Sequence, residues 1–282
     1  MPENTFNLAI IGHGFVGKAI DECFPKSNKF IIDIDSKNQI KDLVDINPNI
    51  IFICLPTPMN DDGSINSKII ESVFIEIKKY GIDCINVLKS TVTPDVLQKL
   101  SQHTSRFVYN PEFLRENTAV DDLINSQINI LAGNRNDCLE VQNIFINFSI
   151  KKNLNFKITD IETASIIKYT INAFLASKVL FFNQIKEIFD NQNFNGSWDD
   201  FLNLICLDTR IGESHINVPG PDGKKGFGGA CFPKDIAALI NYASNINVDL
   251  SILKEIQEKN NNIRSEYKKS NREAEQNIKF TN

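Results

Sequence analysis

An α/β fold, with a doubly wound parallel sheet followed by an all-helical domain, is predicted by three observations. Short apolar runs alternate with helical stretches through the first half of the chain, the pattern of a parallel sheet covered on both faces. A glycine loop, GHGFVG, follows the first run and opens the first helix. From residue 157 the apolar spacing becomes helical and stays so for roughly thirty residues.

The elements follow in order. FNLAIIG reads as a buried strand and FVGKAIDECF as a helix. KFIIDID and NIIFICL are strands two and three. INSKIIESVFIEIKKYG is a helix, CINVLKS a strand, and PDVLQKLSQ a helix with proline in its first turn. RFVYNP, QINILAG and NFKITD continue the strands, with CLEVQNIFINF as a helix between the last two. Thr159 to Glu162 fits a capping box for the long helix that follows. WDDFLNLICL is another helix, residues 212–229 a Gly/Pro-rich loop, and a further helix starts near Pro233. The polar end, from ILKEIQ onward, reads as a helix that frays. The expected domains are residues 1–156 and residues 157–282.

Composition limits the function classes. The 282 residues are 42% hydrophobic and 23% charged, with a net charge of −5, so the chain folds around a core and lacks a basic nucleic-acid footprint. No run of 18 apolar residues marks a transmembrane helix, and the start lacks the pattern of a signal peptide. A cytoplasmic location is expected. The six cysteines are scattered, without a CxxC pair or a histidine cluster at metal spacing, so neither disulfides nor a metal site is expected.

Two stretches carry chemistry by residue type alone. In Gly12-His13-Gly14-Phe15-Val16-Gly17 the glycines permit a tight turn and close approach of a pyrophosphate, and the helix N-terminus adds N–H donors. Asp33 ends strand two about twenty residues on, where an acid binds the adenosine ribose, which favours NAD over NADP. His13 is expected to be a bystander. In GFGGACFPKD, Cys231 stands at a helix N-terminus beside Lys234, two features that favour the thiolate, and the bare glycines leave room for a substrate carbon. Asp235 follows, a carboxylate able to order water or move a proton. Lys168 and Asn172, four apart on a helix, share a face and can hold a developing oxyanion.

Six segments in order carry a family resemblance: GHGFVG, CLPTP at 54–58, KSTVTP at 89–94, NPEFLRE at 110–116, KYTINAFLASK at 168–178, and RIG at 210–212 followed by GFGGACFPKD. With them the chain resembles the UDP-glucose/GDP-mannose dehydrogenase family. The resemblance implies a Rossmann-type domain, NAD as cofactor, a nucleotide-sugar substrate, and a homodimer formed through the helical domain. It implies oxidation of a hexose C6 alcohol to the uronate through a thiohemiacetal and thioester on Cys231. Lys168 and Asn172 would hold the oxygen, and Asp235, Thr91 and Glu112 would position water. Phe15, Val16, Thr57, Ser90, Glu116 and Lys234 would join Gly12, Gly14, Gly17 and Asp33 as cofactor contacts. Phe113, Leu114, Arg115, Phe227 and Gly228 would face substrate, Arg210 would reach the site of a partner subunit, and Lys224 or Lys225 would add charge near the diphosphate. The family's third domain, which closes over the nucleotide, is not expected within these residues. Two alternatives stay open: a two-electron hydroxyacid-type dehydrogenase, which needs no thiol, and a non-catalytic NAD-binding remnant.

Overall fold

The computed structural model describes residues 6–192 and 194–281. It divides the chain into two compact units: residues up to Thr57 together with Asn66–Lys168, and Pro58–Ile65 together with Tyr169 onward.

The first unit is built on seven strands: β1 (Asn7–Ile11), β2 (Asn28–Ile32), β3 (Ile50–Ile53), β4 (Ile85–Leu88), β5 (Phe107–Tyr109), β6 (Ile130–Gly133) and β7 (Lys157–Thr159). Its helices are α1 (Phe15–Cys23), α2 (Leu43–Ile46), α3 (Lys68–Lys79), α4 (Pro94–Ser101), α5 (Ala119–Asn125) and α6 (Arg135–Phe148), and the first residues of α7 (Ile161–Asn191) also belong to it. The strand order is β2-β1-β3-β4-β5-β6-β7. The chain therefore reverses direction across β1, and a doubly wound sheet binds ligands at such a switch point, beyond the carboxyl ends of its strands.

β3 and β4 are buried at every residue, because both sheet faces are covered and no position needs to be polar. Under β1 and β3 lies a phenylalanine cluster. Phe145 meets Phe24, Phe52 and Phe156 with ring centroids 5.1, 5.9 and 5.2 Å apart. These separations lie in the range where tilted aromatic pairs add to simple area burial.

Four expectations change. The sheet is not wholly parallel: β6 runs antiparallel to β5. A parallel neighbour needs a crossover that returns the chain to the starting end of the sheet. The segment between β5 and β6, with its short helix α5, does not do this, and α5 escapes notice in the sequence because its apolar stripe is only two buried residues wide. The division into units falls at 168/169 rather than 156/157, since β7 is hydrogen-bonded to β6 as a seventh strand. The long helix is capped one residue later than expected. Asp160 Oδ1, not the Thr159 hydroxyl, accepts the Thr163 N–H at 2.7 Å, because Thr159 is still part of β7.

The polar C-terminal segment does not fray. In the second unit it forms α10 (Ser251–Arg264) and α11 (Asn271–Glu275), following α8 (Trp198–Ile205) and α9 (Phe232–Asn245). Arg264 and Glu273 are fully buried against each other, and Ile278 and Phe280 are buried beyond them. The second unit has two apolar clusters. One joins Ala173, Ala176, Leu180, Phe227 and Ile236; the other joins Phe182, Leu202, Ile216 and Val218. The Pro58–Ile65 excursion is tied to this unit by Met59 N–H to Gln276 O (3.0 Å), Lys279 to Asp61 (2.5 Å) and Asn241 to Asp62 O (3.1 Å).

Helix α7 is long and apolar enough, by length and composition, to cross a membrane, although no unbroken apolar run marks it in the sequence. Its polar side chains Lys168, Asn172, Lys178 and Asn183 all bond to protein groups, as in a helix embedded in protein.

Two lysines of the first unit are buried against neutral partners: Lys89 donates to Asn110 Oδ1 (2.8 Å) and Lys151 to Leu123 O (2.6 Å). Burial pulls both down from 10.5 to about 8. Between those values the unfolded chain binds more protons than the folded one, so these groups make stability rise with pH. The thiols of half-buried Cys54 and buried Cys84, pushed up by desolvation to about 12 from 9.0, act in the opposite sense above pH 9. The variant Lys151→Met isolates one lysine. We expect it to be more stable than the parent below pH 8 by on the order of 3 kcal/mol, less about 1 kcal/mol for the lost hydrogen bond. That advantage should shrink towards pH 10.5, read by denaturant titration at several pH values.

Candidate active site

The glycine loop of the first unit has the geometry its sequence predicts. Gly12 has φ of +91°, and a Cβ there would meet Cys54 O at 2.7 Å. A Cβ at Gly17 would lie 2.0 Å from Gly12 O. These two glycines are therefore needed by the turn and by the packing of α1 on the loop. Gly14, the N-cap of α1, has nothing within 4 Å of its Cβ position and is exposed. This is open backbone at a helix N-terminus, the requirement for a pyrophosphate. Asp33 follows β2, and its carboxylate accepts the His13 N–H and the Ile34 N–H. His13 is no bystander: its ring pairs with Asp21 at 2.9 Å, and Lys29 pairs with the same carboxylate at 2.6 Å. Burial alone would raise the Asp21 carboxyl, but the bonds from Lys29 and His13 hold it below its ordinary value. The loop is thus pinned to strand and helix before any ligand arrives, and its residues fit a dinucleotide.

At the carboxyl ends of β3 and β4 stand Thr57, Ser90 and Thr91, all buried. Ser90 donates to Leu55 O at 2.6 Å, which ties the two strand ends together. The NPEFLRE segment leaves β5. Glu112 is buried, its Oε2 accepts the Leu114 N–H at 2.6 Å, and Lys168 Nζ lies 3.7 Å from its Oε1. Lys168 also donates to Glu112 O at 2.6 Å and lies 5.1 Å from the centre of the Phe113 ring. Lys168, Glu112 and Phe113 therefore form one cluster. Arg115 does not join it. Arg115 is exposed, and its guanidinium and backbone N–H both bind Asp122. Glu116 begins an exposed 3₁₀ turn, Glu116–Thr118.

The second cluster lies within the second unit. Cys231 is the N-cap of α9, and Pro233 is in the first turn, as the residue order predicts. The Cys231 carbonyl accepts the Asp235 N–H at 2.9 Å, so Asp235 is one turn along the same helix. Asp235 is buried, with Lys234 Nζ 2.5 Å from Oδ1 and Asn172 Nδ2 2.6 Å from Oδ2. Lys234 was expected to lower the thiol pKa as a neighbouring cation. Its ammonium is paired with the Asp235 carboxylate.

The glycines around the thiol are bare for a reason other than the one expected. A Cβ at Gly226 would meet Asn260 Oδ1 at 2.7 Å, and one at Gly228 would meet Arg264 Nη2 at 2.0 Å and Glu273 Oε1 at 2.4 Å. Gly228, expected at the substrate, is thus occupied by protein. The Phe227 side chain, also expected there, is a core residue 4% exposed. Gly229, with φ of +77°, has no atom within 4 Å of its Cβ position. Arg210 folds back onto Asp208 at 2.5 Å and is otherwise in solvent. Lys224 donates to Lys268 O at 2.7 Å, and Lys225 lies 3.9 Å from Asp190.

Sequence reasoning missed Lys178, whose Nζ donates to the carbonyls of Ile211 and Ser214 at 2.8 and 2.6 Å and to Gly212 O at 3.0 Å. It anchors the start of the Gly/Pro-rich loop. It also missed Asn183, Asn260, Arg264 and Glu273, which hold the end of that loop. For Asn183 the sequence signal was an amide interrupting the apolar pattern of α7; the polar α10 and α11 gave none.

A doubly wound sheet with this glycine loop defines a dinucleotide-binding unit. Residues 43–149 match the model of the NAD binding domain of the UDP-glucose/GDP-mannose dehydrogenase family, and residues 162–262 match that of its central domain; the chain belongs to this family. Its cofactor is NAD. The glycine loop precedes the matched segment, so its assignment rests on the geometry above. The UDP-glucose 6-dehydrogenase of Rickettsia felis is 33% identical over 217 residues, which is 74% of this chain and 47% of that protein. The UDP-glucose 6-dehydrogenase of Bacillus subtilis is 34% identical over 225 residues, 76% of this chain and 49% of that protein. The chain spans about half the length of the curated relatives it matches. A UDP-glucose dehydrogenase structure from Pyrobaculum islandicum superposes with a TM-score of 0.76 at 21% identity, covering 92% of this chain and 69% of that one, a likeness of fold.

The glycines separate two kinds of loss. Gly17→Ala places a Cβ 2.0 Å from a backbone oxygen and should cost about 1–3 kcal/mol of stability, seen as a lower thermal midpoint. Gly14→Ala should leave the midpoint unchanged and weaken NAD+ binding, measured by calorimetry.

Proposed function

We propose that this chain oxidises the C6 primary alcohol of a nucleotide sugar to the carboxylate, with UDP-glucose going to UDP-glucuronate, through covalent intermediates on Cys231. The observation that carries this reading is Cys231 at the N-terminus of α9 with Asp235 one turn on and bonded to Asn172. A simple alcohol oxidation needs no nucleophile, whereas a four-electron oxidation benefits from one, because a free aldehyde must be turned into a species that can again give up hydride without leaving.

NAD+ held at the Gly12–Gly17 loop would supply the hydride acceptor for each of the two oxidations, the hydroxyl proton leaving to solvent. After the first, the Cys231 thiolate forms an S–C bond to the aldehyde carbon, and the carbonyl electron pair moves to oxygen, which takes a proton to give the thiohemiacetal. Lys168 and Asn172, one helical turn apart on α7, act on that oxygen as cation and amide donor. The second oxidation leaves a thioester. Water, oriented by Asp235, Glu112 and the Thr91 hydroxyl, adds to the acyl carbon; the C–S bond breaks and the sulfur departs as thiolate. Thr57, Ser90, Glu116 and Lys234 are assigned to the cofactor, and Arg115 and Arg210 to the substrate after release from their aspartates.

The functional form is proposed to be a homodimer. On α7, Phe174, Phe181 and Ile188 recur every seven residues and are exposed by 67, 55 and 53%, three apolar side chains on one helix face. Leu204 and Leu207 after it are exposed by 68 and 77%. A second copy covering this face is the arrangement the family resemblance supports.

Mixing the protein with NAD+ and UDP-glucose should yield two NADH per sugar. One NADH would instead identify a two-electron dehydrogenase, and none with UDP-glucose, GDP-mannose or UDP-N-acetylhexosamines would leave an NAD-binding protein only. Cys231→Ser should lower uronate formation by at least about a thousandfold, and intact-mass analysis of the parent in turnover should catch an acyl adduct on that residue. Phe181→Glu should convert the dimer to monomer in light scattering.

A further inference from the structure

The backbone of the Cys231 loop is gripped by side chains from the end of α10 and from α11. Asn260 pairs with both sides of the Phe227 peptide group: its Oδ1 accepts the Phe227 N–H at 2.7 Å and its Nδ2 donates to Phe227 O at 3.0 Å. Asn183 of α7 accepts the Gly226 N–H at 3.0 Å. Glu273 Oε1 accepts the Gly229 N–H at 3.0 Å and the Arg264 Nη2 donor at 2.8 Å, and its Oε2 accepts the Ser270 N–H at 2.7 Å. Arg264 Nη1 reaches Asp222 at 2.8 Å, at the other side of the same loop. Asn260, Arg264 and Glu273 are 1, 2 and 1% exposed.

We propose that Asn260, Arg264 and Glu273 are positioning residues for Cys231, fixing the Gly226–Gly229 backbone so that the thiol is presented from the start of α9. This rests on the role of Cys231 proposed above. Three hydrogen-bonded peptide N–H groups, at 226, 227 and 229, lie within five residues of Cys231. The glycines at 226 and 228 leave room for the gripping side chains, as their Cβ distances require. A glycine-rich loop of this length has high backbone entropy when free, costing about 1–2 kcal/mol per residue to order. Buried, charge-assisted hydrogen bonds of the kind Glu273 makes are strong enough to offset that cost. Burial alone would raise the Glu273 carboxyl, but the N–H bonds of Ser270 and Gly229 and the Arg264 charge hold it below its ordinary value, so it remains an acceptor at neutral pH.

The test separates positioning from mere stability. The double variant Arg264→Leu with Glu273→Leu removes the grip while leaving no unpaired charge in the interior, a replacement that is often neutral or stabilising. The readout is the rate of carbamidomethylation of Cys231 by iodoacetamide in the full chain, followed by peptide mass spectrometry, with half-buried Cys206 as internal reference. The ratio of the two rates should change by on the order of tenfold in the folded double variant; an unchanged ratio there overturns the proposal. Should that variant fail to fold, the unmodified protein still decides. The Phe227 and Gly229 amides should exchange with deuterium about a hundredfold more slowly than open loop amides, and exchange at open-loop rates overturns it. Absence of NAD+ reduction by the unmodified chain would sink the proposed oxidation while leaving both readouts interpretable.

Discussion

Burying a charge costs several kcal/mol unless an opposite charge and hydrogen bonds meet it, and the second unit is arranged around two such pairs. Lys234 and Asp235 are neighbours in sequence at the start of α9, and Asn172 of α7 completes the carboxylate. Arg264 and Glu273 are nine apart and join the end of α10 to α11. Both pairs lie close in sequence or bonding to the loop that carries Cys231. If either partner were lost, the other would be left charged and dry, so the two members of each pair are held together as a unit. The glycine loop of the first unit follows the same logic with milder means: Asp33 takes two backbone N–H groups, and His13 and Lys29 share Asp21.

The two lysines that lack such partners, Lys89 and Lys151, mark the contrast. Each is bonded to a neutral oxygen, and each has lost part of its hold on the proton. Lys89 lies in the KSTVTP segment, directly before Ser90 and Thr91, so this weakly held charge belongs to the strand end that carries two of the assigned hydroxyls. By comparison Lys168, in the Glu112 cluster, has a carboxylate oxygen at 3.7 Å and a carbonyl at 2.6 Å.

Much of the fold was legible because its signals are local. The apolar runs of β1, β3 and β4, the glycine loop and the proline-started helices α4 and α9 declare themselves within ten residues. The antiparallel β6 was not legible, because strand direction depends on where a connection returns, and α5 is too short to reveal its path. The cap of α7 slipped by one residue because Thr159 and Asp160 are both good caps and only the pairing of β7 decides between them. Among the candidate residues, Lys168, Asn172, Cys231 and Asp235 stood out by residue type. The grip on the cysteine loop did not, since Asn260, Arg264 and Glu273 lie far along the chain in a polar stretch that reads as solvent-facing. The glycines at 226 and 228 illustrate the ambiguity. A missing Cβ can make way for a substrate or for another part of the same protein, and the sequence does not distinguish them.

The Pro58–Ile65 excursion has a consequence for how such chains can be recombined. The second unit is assembled from two separate stretches, because this short strap, encoded between β3 and α3, is fastened to α9 and to the C-terminal tail. A single crossover within α7 between two homologous genes would therefore pair a foreign tail with a native strap. Transplanting the unit whole requires a second breakpoint, so that strap and tail come from one parent although more than two hundred positions lie between Asp61 and Lys279.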